Sequence, residues 1–488
     1  MESRASKFVP VAAALVIAAQ FAWFAGAGLR SYFSPDDVMN LYRAWSQPAW
    51  KLVGANLLYC SGAFRPMGGL FYATLFALFG FNPLPFRIAC FVILLLNLLL
   101  VYAFTRRLTS SREVAALTVL VFCYHPYLFS LYTDTGTVYD LLCLCFYCAA
   151  FIYYLRIRQS GRYLGWRELS AFAAIYLCAL NSKEMAVSLP VLVGVYELWH
   201  HPPRSFRWAD LQPWLAREGR GAWVVGLLTL PYVIGKTQAG PMVGIPAYRP
   251  VFSLTVFMDQ WADFLQQIFQ DTQRFNTPGV VLLWLLLLVI AWRLKIPALR
   301  FCWIYIIVSM LPIIFLPFHR SGFVLYIPMV GWAVYVATLL ATARQRVVEW
   351  LARRSGGRRR APAWGPVRPS QVVLFLGTAA ALLPARGQIA PDSRWVPEVQ
   401  LQVRSLIEPL SRWRPVLPRG SRILFLDDFL PPDDWTFSSA LRLYYRDDSL
   451  RVDRLKQLGR RPEEVALASY DHVLTFDKLR LIQVKPAP

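Results

Sequence analysis

Apolar blocks alternate with short basic stretches from the start of the chain to about residue 385. The blocks are about 15–24 residues long, the length at which an α-helix crosses a bilayer. The first covers Phe8 to Leu29. Later blocks fall near 86–105, 114–131, 138–155, 169–181, 185–199, 222–235, 279–292, 301–317, 323–341 and 371–385. Those at 169–181 and 185–199 are short for full crossings and suit tilted or broken helices. The pattern predicts an α-helical polytopic membrane protein with about eleven spans. Beyond residue 385 it changes. Arg422 to Phe425 with Leu426, Val473 to Phe476 and Leu481 to Val484 read as strands, and Trp435 to Tyr445 as a helix. Residues 386–488 are therefore expected to form a small soluble α/β domain beside a helical domain at 1–385.

Arg4 and Lys7 precede the first block, which reads as a retained span. A signal peptide cut near Ala25-Gly26-Ala27 is the alternative. The block Phe64–Phe81 breaks the count. A crossing there would put the Arg106 and Arg156 stretches outside and separate the acidic motifs. It contains Gly68-Gly69 and is bracketed by Arg65-Pro66 and Pro83. It predicts helices lying in the outer interface, or dipping in and returning, within a large first outer loop at 30–85. Further outer segments are expected at 132–137, Ser182–Glu184, 236–277 and 318–322.

Composition supports the membrane reading. Of 488 residues, 56% are hydrophobic and 16% charged, against about 45–50% and about 25% in soluble domains. This excludes disordered, collagen-like and disulfide-dense classes. The net charge of +22, from 51 Lys+Arg against 29 Asp+Glu, could suggest nucleic acid. Its placement argues for membrane lipids and no nucleic acid, because Arg clusters at Arg106, Arg156, Arg204, Arg293 and Arg344–Arg368, between apolar blocks. That is the positive-inside distribution. Cys145-x-x-Cys148 lies in an apolar block and reads as buried small hydrophobes rather than half a metal site.

Candidate chemistry gathers on the outer side. Ser34-Pro35-Asp36-Asp37 is either a helix N-cap or a pair in which one carboxylate is a general base. Tyr132-Thr133-Asp134-Thr135-Gly136 follows the third span, which carries His125-Pro126. Asp140 lies at membrane depth, where an ionisable residue is a functional candidate. Lys183-Glu184 reads as an interhelical turn with a snorkelling Lys, or as a phosphate contact. His319-Arg320 reads as an interface anchor or an anion clamp. Arg65 and Arg87 are further cations on the same side. In the tail, Asp427-Asp428, Asp433-Asp434 and Asp447-Asp448 read as turns and a cap more readily than as a metal site.

Taken in order, these motifs resemble the GT-C superfamily of membrane glycosyltransferases. The resemblance is to the branch holding protein O-mannosyltransferases, lipid A aminoarabinose transferases and transmembrane TPR-containing mannosyltransferases. It rests on Asp36-Asp37, Phe64-Arg65-Pro66, Leu78-Phe79-Gly80, Arg87, His125-Pro126 with Asp140-Leu141-Leu142, Ser182-Lys183-Glu184 with Tyr196-Glu197-Leu198, and Tyr326-Ile327-Pro328. It implies a glycosyltransferase with a polyprenyl-phosphate sugar donor. Transfer to a protein, lipid or glycan hydroxyl would occur on the extracytoplasmic side, in a bacterial inner membrane facing the periplasm. Catalysis would fall to Asp36 or Asp37, with Asp134 as the second acid. The donor phosphate would meet Arg65, Arg87, Lys183 and Arg320, and substrate would also meet Glu184, His319, Asp140 and His125. Relatives with a TPR tail carry an acid soon after His-Pro, where this chain has Ser130, and no TPR-like repeat follows here. Paired acids are compatible with a divalent metal without requiring one. The competing readings are a lipid or solute transporter or flippase, and a non-catalytic membrane scaffold.

Overall fold

The computed structural model describes residues 4–59, 65–239, 248–270, 275–354, 368–385, 395–413, 417–432, 434–459, 465–477 and 479–485. Cys60, Phe64, Asp433 and the Arg358–Arg360 run lie outside the described residues. Helix α1 (Arg4–Ala25) leads through a 3-10 turn to α2 (Pro35–Trp45), α3 (Ala49–Leu57) and α4 (Pro66–Phe79). The helices α5 (Pro83–Thr109), α6 (Arg112–Phe122), α7 (Phe129–Thr133), α8 (Val138–Arg158), α9 (Trp166–Ser182) and α10 (Leu189–His200) follow. Next come α11 (Trp208–Arg217), α12 (Arg220–Ala239), α13 (Leu254–Phe269), α14 (Thr277–Leu294), α15 (Pro297–Ile314), α16 (Tyr326–Arg354) and α17 (Pro369–Ala381).

Among the described residues, six helices are long and apolar enough to cross a membrane: Val9–Arg30, Pro83–Thr109, Thr135–Arg158, Thr277–Leu294, Pro297–Ile314 and Gly322–Arg354. The expected third span, 114–131, is not one straight helix. It is bent by 65° between α6 and the segment Pro126–Thr133. Pro126 is the cause: His125 before it is extended, at φ −145° and ψ 135°, as a residue preceding proline prefers. Counted as one crossing, this pair makes seven. The 17 residues of α9 and the 12 of α10 rise about 26 and 18 Å, short of the ~30 Å hydrocarbon core. At 14 residues, α4 rises about 21 Å.

The expected first outer loop is itself helical. The first turn of α4 lies against α8 because Gly68 lacks a side chain: a Cβ there would stand 2.0 Å from the Tyr139 ring. Gly28, just past α1, meets the Tyr132 carbonyl so closely that a Cβ would lie 1.7 Å from its oxygen. Buried and half-buried polar pairs tie the helices together. Asn97 donates to the Leu141 carbonyl at 2.9 Å. Glu113 on α6 accepts two bonds from Arg344 of α16, at 2.7 and 3.0 Å. Arg158 and Glu197, both buried, pair through two bonds at 2.8 and 2.9 Å.

After α18 (Trp395–Arg412) come β1 (Arg422–Phe425), α19 (Thr436–Tyr445), β2 (Arg451–Arg454), the short α20 (Leu455–Leu458), β3 (His472–Asp477) and β4 (Arg480–Lys485). The sheet order is β2-β1-β3-β4. β1 runs parallel to both its neighbours, and β4 is antiparallel to β3. This unit rests on the first-loop helices. The Tyr42 hydroxyl donates to Asp448 at 2.5 Å and accepts from Arg442 at 2.9 Å. Gln400 donates to the Thr133 carbonyl at 2.8 Å.

Candidate functional site

The site is built where α2, the start of α4, the α7–α8 junction and the α9–α10 turn meet. α2 begins with a complete capping box. Asp37 N donates to the Ser34 hydroxyl at 3.3 Å, and Ser34 N donates back to Asp37 Oδ2 at 2.8 Å. Pro35 at the first helical position needs no amide donor. The box divides the two adjacent acids. Asp37 is fully buried, and its other oxygen accepts from Tyr72 at 2.7 Å. Asp36 faces the opposite way, into an open cleft it shares with Pro35, Met39, Pro431, Asp434, Trp435 and Thr436.

Ser34 also joins Asp37 to Asp134. Its hydroxyl lies 2.9 Å from Asp134 Oδ1 and 3.2 Å from Asp37 Oδ2. Asp134 caps the following turn by accepting from Gly136 N at 3.0 Å. Burial raises both carboxyls above the usual range. For Asp37 the Asp134 charge adds to this, and Ser34 and Tyr72 oppose it. For Asp134 the Gly136 and Ser34 bonds oppose it, and the Asp36 charge adds. Asp36 is solvent-exposed, yet the protein around its inner side is enough to push its carboxyl up. The charges of Arg43 and Arg65 act against that rise.

Beside the acids lies a cluster of two ion pairs. Arg65 donates to Glu184 from Nη2 at 2.7 Å and from Nε at 3.2 Å. Its guanidinium lies 5.2 Å from the centre of the Tyr139 ring. Arg65 takes the left-handed conformation, φ 43°, directly before Pro66, a costly backbone for a side-chain-bearing residue. Lys183 Nζ lies 2.5 and 2.6 Å from the two Asp140 oxygens, and the pair is buried. Phe323 covers the ammonium at 4.6 Å. At Glu184 burial works to raise the carboxyl. The charge and hydrogen bonds of Arg65, with Lys183 behind, outweigh it and hold Glu184 at about 2.

The remaining expected residues separate. Arg87 is fully buried, not at a surface phosphate. It donates to the Gly28 carbonyl at 2.9 Å, to Thr135 Oγ1 at 3.2 Å and to the Tyr132 carbonyl. These bonds make it a strut under Asp134. His125 sits in the helix break, with Nε2 3.1 Å from the Ile268 carbonyl and Nδ1 accepting from Tyr127 N at 3.3 Å. It clamps α13 and lies apart from the acid cluster. Arg320 pairs with Asp263 of α13 and donates to the Pro317 carbonyl at 3.0 Å. His319 packs on Tyr248, ring centres 4.5 Å apart. Burial raises the Tyr248 hydroxyl, with the charges of Arg65, Glu184, Asp36 and Arg43 as lesser influences.

Sequence reasoning missed Asp263, Tyr248, Tyr72 and Tyr139. Asp263 had a signal. The segment 236–277 was expected as a loop, yet Phe257, Trp261, Phe264, Leu265 and Ile268 recur at helical spacing behind the N-cap Ser253. Among the described residues no group of three or more His, Cys, Asp or Glu side chains is placed to hold a metal ion. In the tail, Asp428 accepts instead from Arg454, at 2.7 and 2.9 Å.

Residues 64–218 match the family model described as dolichyl-phosphate-mannose-protein mannosyltransferase. The stretch holds Arg65, Asp134, Asp140, Lys183 and Glu184, and begins after Asp36. The match spans about a third of the chain, and over that stretch the chain is similar to this family. Two solved structures align with most of the chain, both with TM-scores below 0.5. The crystal structure of ArnT from Cupriavidus metallidurans bound to undecaprenyl phosphate has 16% identity, covers 99% of this chain and 98% of its own, and gives a TM-score of 0.46. ArnT from Cupriavidus metallidurans in the apo state has 18% identity, covers 91% and 85%, and gives a TM-score of 0.44. No curated protein matches by sequence.

Proposed function

We propose that this protein is a membrane glycosyltransferase that moves a sugar from a polyprenyl-phosphate donor to an acceptor hydroxyl, on the extracytoplasmic face of the membrane, with Asp36 as general base. The observation that carries the assignment is the division of Asp36 from Asp37. Asp37 is enclosed by Ser34 and Tyr72, whereas Asp36 opens into a cleft. Only an accessible carboxylate can take a proton from an incoming hydroxyl. Its raised pKa strengthens it as a base.

In this reading the acceptor oxygen attacks the sugar C1 as Asp36 takes its proton. The C1–O bond to phosphate breaks, and the leaving phosphate gains a negative charge. Arg65 and Lys183 stand on the same side to stabilise that charge. Both hold carboxylate partners. Glu184 is half-exposed, with 41% of its side chain accessible, and is the partner a phosphate can displace. Asp134 and Arg87 position the floor. The Arg stretches between spans belong on the opposite, cytoplasmic side.

The test is donor turnover by the purified protein. Asp36→Asn should cut transfer by about 10²–10⁴-fold while the fold and donor binding persist. Full transfer by that variant would remove the base assignment.

A further inference from the structure

The cleft in front of Asp36 has two walls from distant parts of the chain. One is the first turn of α2, with Pro35, Asp36 and Met39. The other is the loop between β1 and α19, with Pro431, Asp434, Trp435 and Thr436. Its volume is about 320 Å³, at the lower end of small-ligand sites, ~300–1,000 Å³. The second wall leaves the carboxyl end of β1, the strand with parallel neighbours on both sides. Open α/β sheets bind ligands at that position.

One buried arginine holds the described residues of the loop. Arg454 is 1% exposed. Beyond its pair with Asp428, it donates to the carbonyls of Leu430 at 2.9 Å, Pro432 at 3.3 Å and Asp434 at 2.6 Å. Asp434 Oδ1 accepts from Thr436 N at 2.6 Å. Trp435 nevertheless stays 44% exposed, with the Arg43 guanidinium 5.3 Å from its ring centre. The described residues of the loop thus present an indole and a carboxylate opposite the proposed base.

We propose that this cleft is the acceptor subsite, and that the acceptor is a neutral saccharide whose ring lies on Trp435 and whose reacting hydroxyl reaches Asp36. This rests on the transfer reading above. An indole offers a flat apolar surface for the C–H face of a sugar ring, and carboxylates accept hydrogen bonds from hydroxyls. With Arg43 beside Trp435, the carboxylates of Asp36 and Asp434, one on each wall, still leave a surplus of negative charge that disfavours an anionic acceptor. A short cleft bounded by side chains fits a compact ring better than an extended peptide. In the reaction the acceptor O–H proton passes to Asp36, its oxygen bonds to the donor C1, and the C1–O(phosphate) bond breaks with its electron pair leaving on phosphate.

The experiment is saturation-transfer-difference NMR on the full chain in lipid nanodiscs. The probes are neutral gluco-, galacto- and manno-oligosaccharides and a Ser/Thr peptide. The expected result is transfer to the ring protons of at least one saccharide, with Kd raised at least ~10-fold by Trp435→Ala and restored to within ~3-fold by Trp435→Phe. Asp434→Asn gives a second reading should Trp435→Ala fold poorly, and it should weaken the same saccharide. Saturation of no saccharide overturns the proposal. So does equal binding by every variant, or Trp435-dependent binding of the peptide instead. The readout needs neither donor nor turnover, so its failure is separate from failure of the donor chemistry.

Discussion

Replacing Lys183 by Met should be the most damaging single change at the site. Its ammonium lies 2.5 and 2.6 Å from the two oxygens of Asp140, and each side chain is only 6% exposed. Lys183→Met leaves the carboxylate buried and uncompensated. Breaking a buried pair from one side costs about 3–5 kcal/mol, well above the ~1 kcal/mol net value of an ordinary hydrogen bond. Removing both charges should return most of the loss, because apolar replacements of a buried pair are neutral or stabilising by ~1–4 kcal/mol. Lys183→Met with Asp140→Leu should therefore unfold near wild type, giving a coupling of roughly 3 kcal/mol or more. Denaturant unfolding of the full chain in detergent measures this, and donor turnover is measured alongside. A single variant within ~1 kcal/mol of wild type would refute the structural reasoning. A double variant that is stable and turns over donor at the wild-type rate would refute the phosphate role of Lys183.

Ser34→Ala should cost about 1–2 kcal/mol through the lost cap, and raise the Asp37 and Asp134 carboxyls further by removing their shared hydroxyl. Ser34→Thr should restore stability in thermal unfolding. Gly68→Ala places a Cβ 2.0 Å from the Tyr139 ring, so about 1–3 kcal/mol of overpacking strain is expected. Stability unchanged from wild type would contradict the seating of α4 on α8. Glu184 is held at about 2, below its ordinary value of 4.5. It therefore contributes stability that is full above about pH 4.5 and is lost as pH falls through about 2. Glu184→Gln should remove that acid-side drop from the stability profile, and an unchanged profile would contradict the Arg65–Glu184 pairing.

The helical membrane class could be read from apolar block length alone, since about 15–24 apolar residues in succession have few other uses. The motifs at Asp36-Asp37, Asp134, Lys183-Glu184 and Arg65 were also visible as acids and bases at block ends. Their division of labour was not. Ser34-Pro35-Asp36-Asp37 fits both a cap and a base; the fold uses Asp37 in the cap and leaves Asp36 open to a cleft, which is the accessibility the proposed base role needs. The partners of Lys183 and Glu184 lie 43 and 119 residues away, beyond any local pattern. Arg87 looked like its neighbours in sequence, but burial by α1 and the α7–α8 junction turns it to backbone carbonyls. The edge strand Arg451–Arg454 was missed because three of its four residues are charged, and the tertiary pairing with β1 overrides their low strand propensity.

The claim that Asp36 is the base is tested most directly by single-turnover transfer from a panel of polyprenyl-phosphate sugars, comparing wild type with Asp36→Asn. The account predicts a fall of about 10²–10⁴-fold in transfer, with donor affinity and unfolding unchanged. Transfer by Asp36→Asn at the wild-type rate would contradict it.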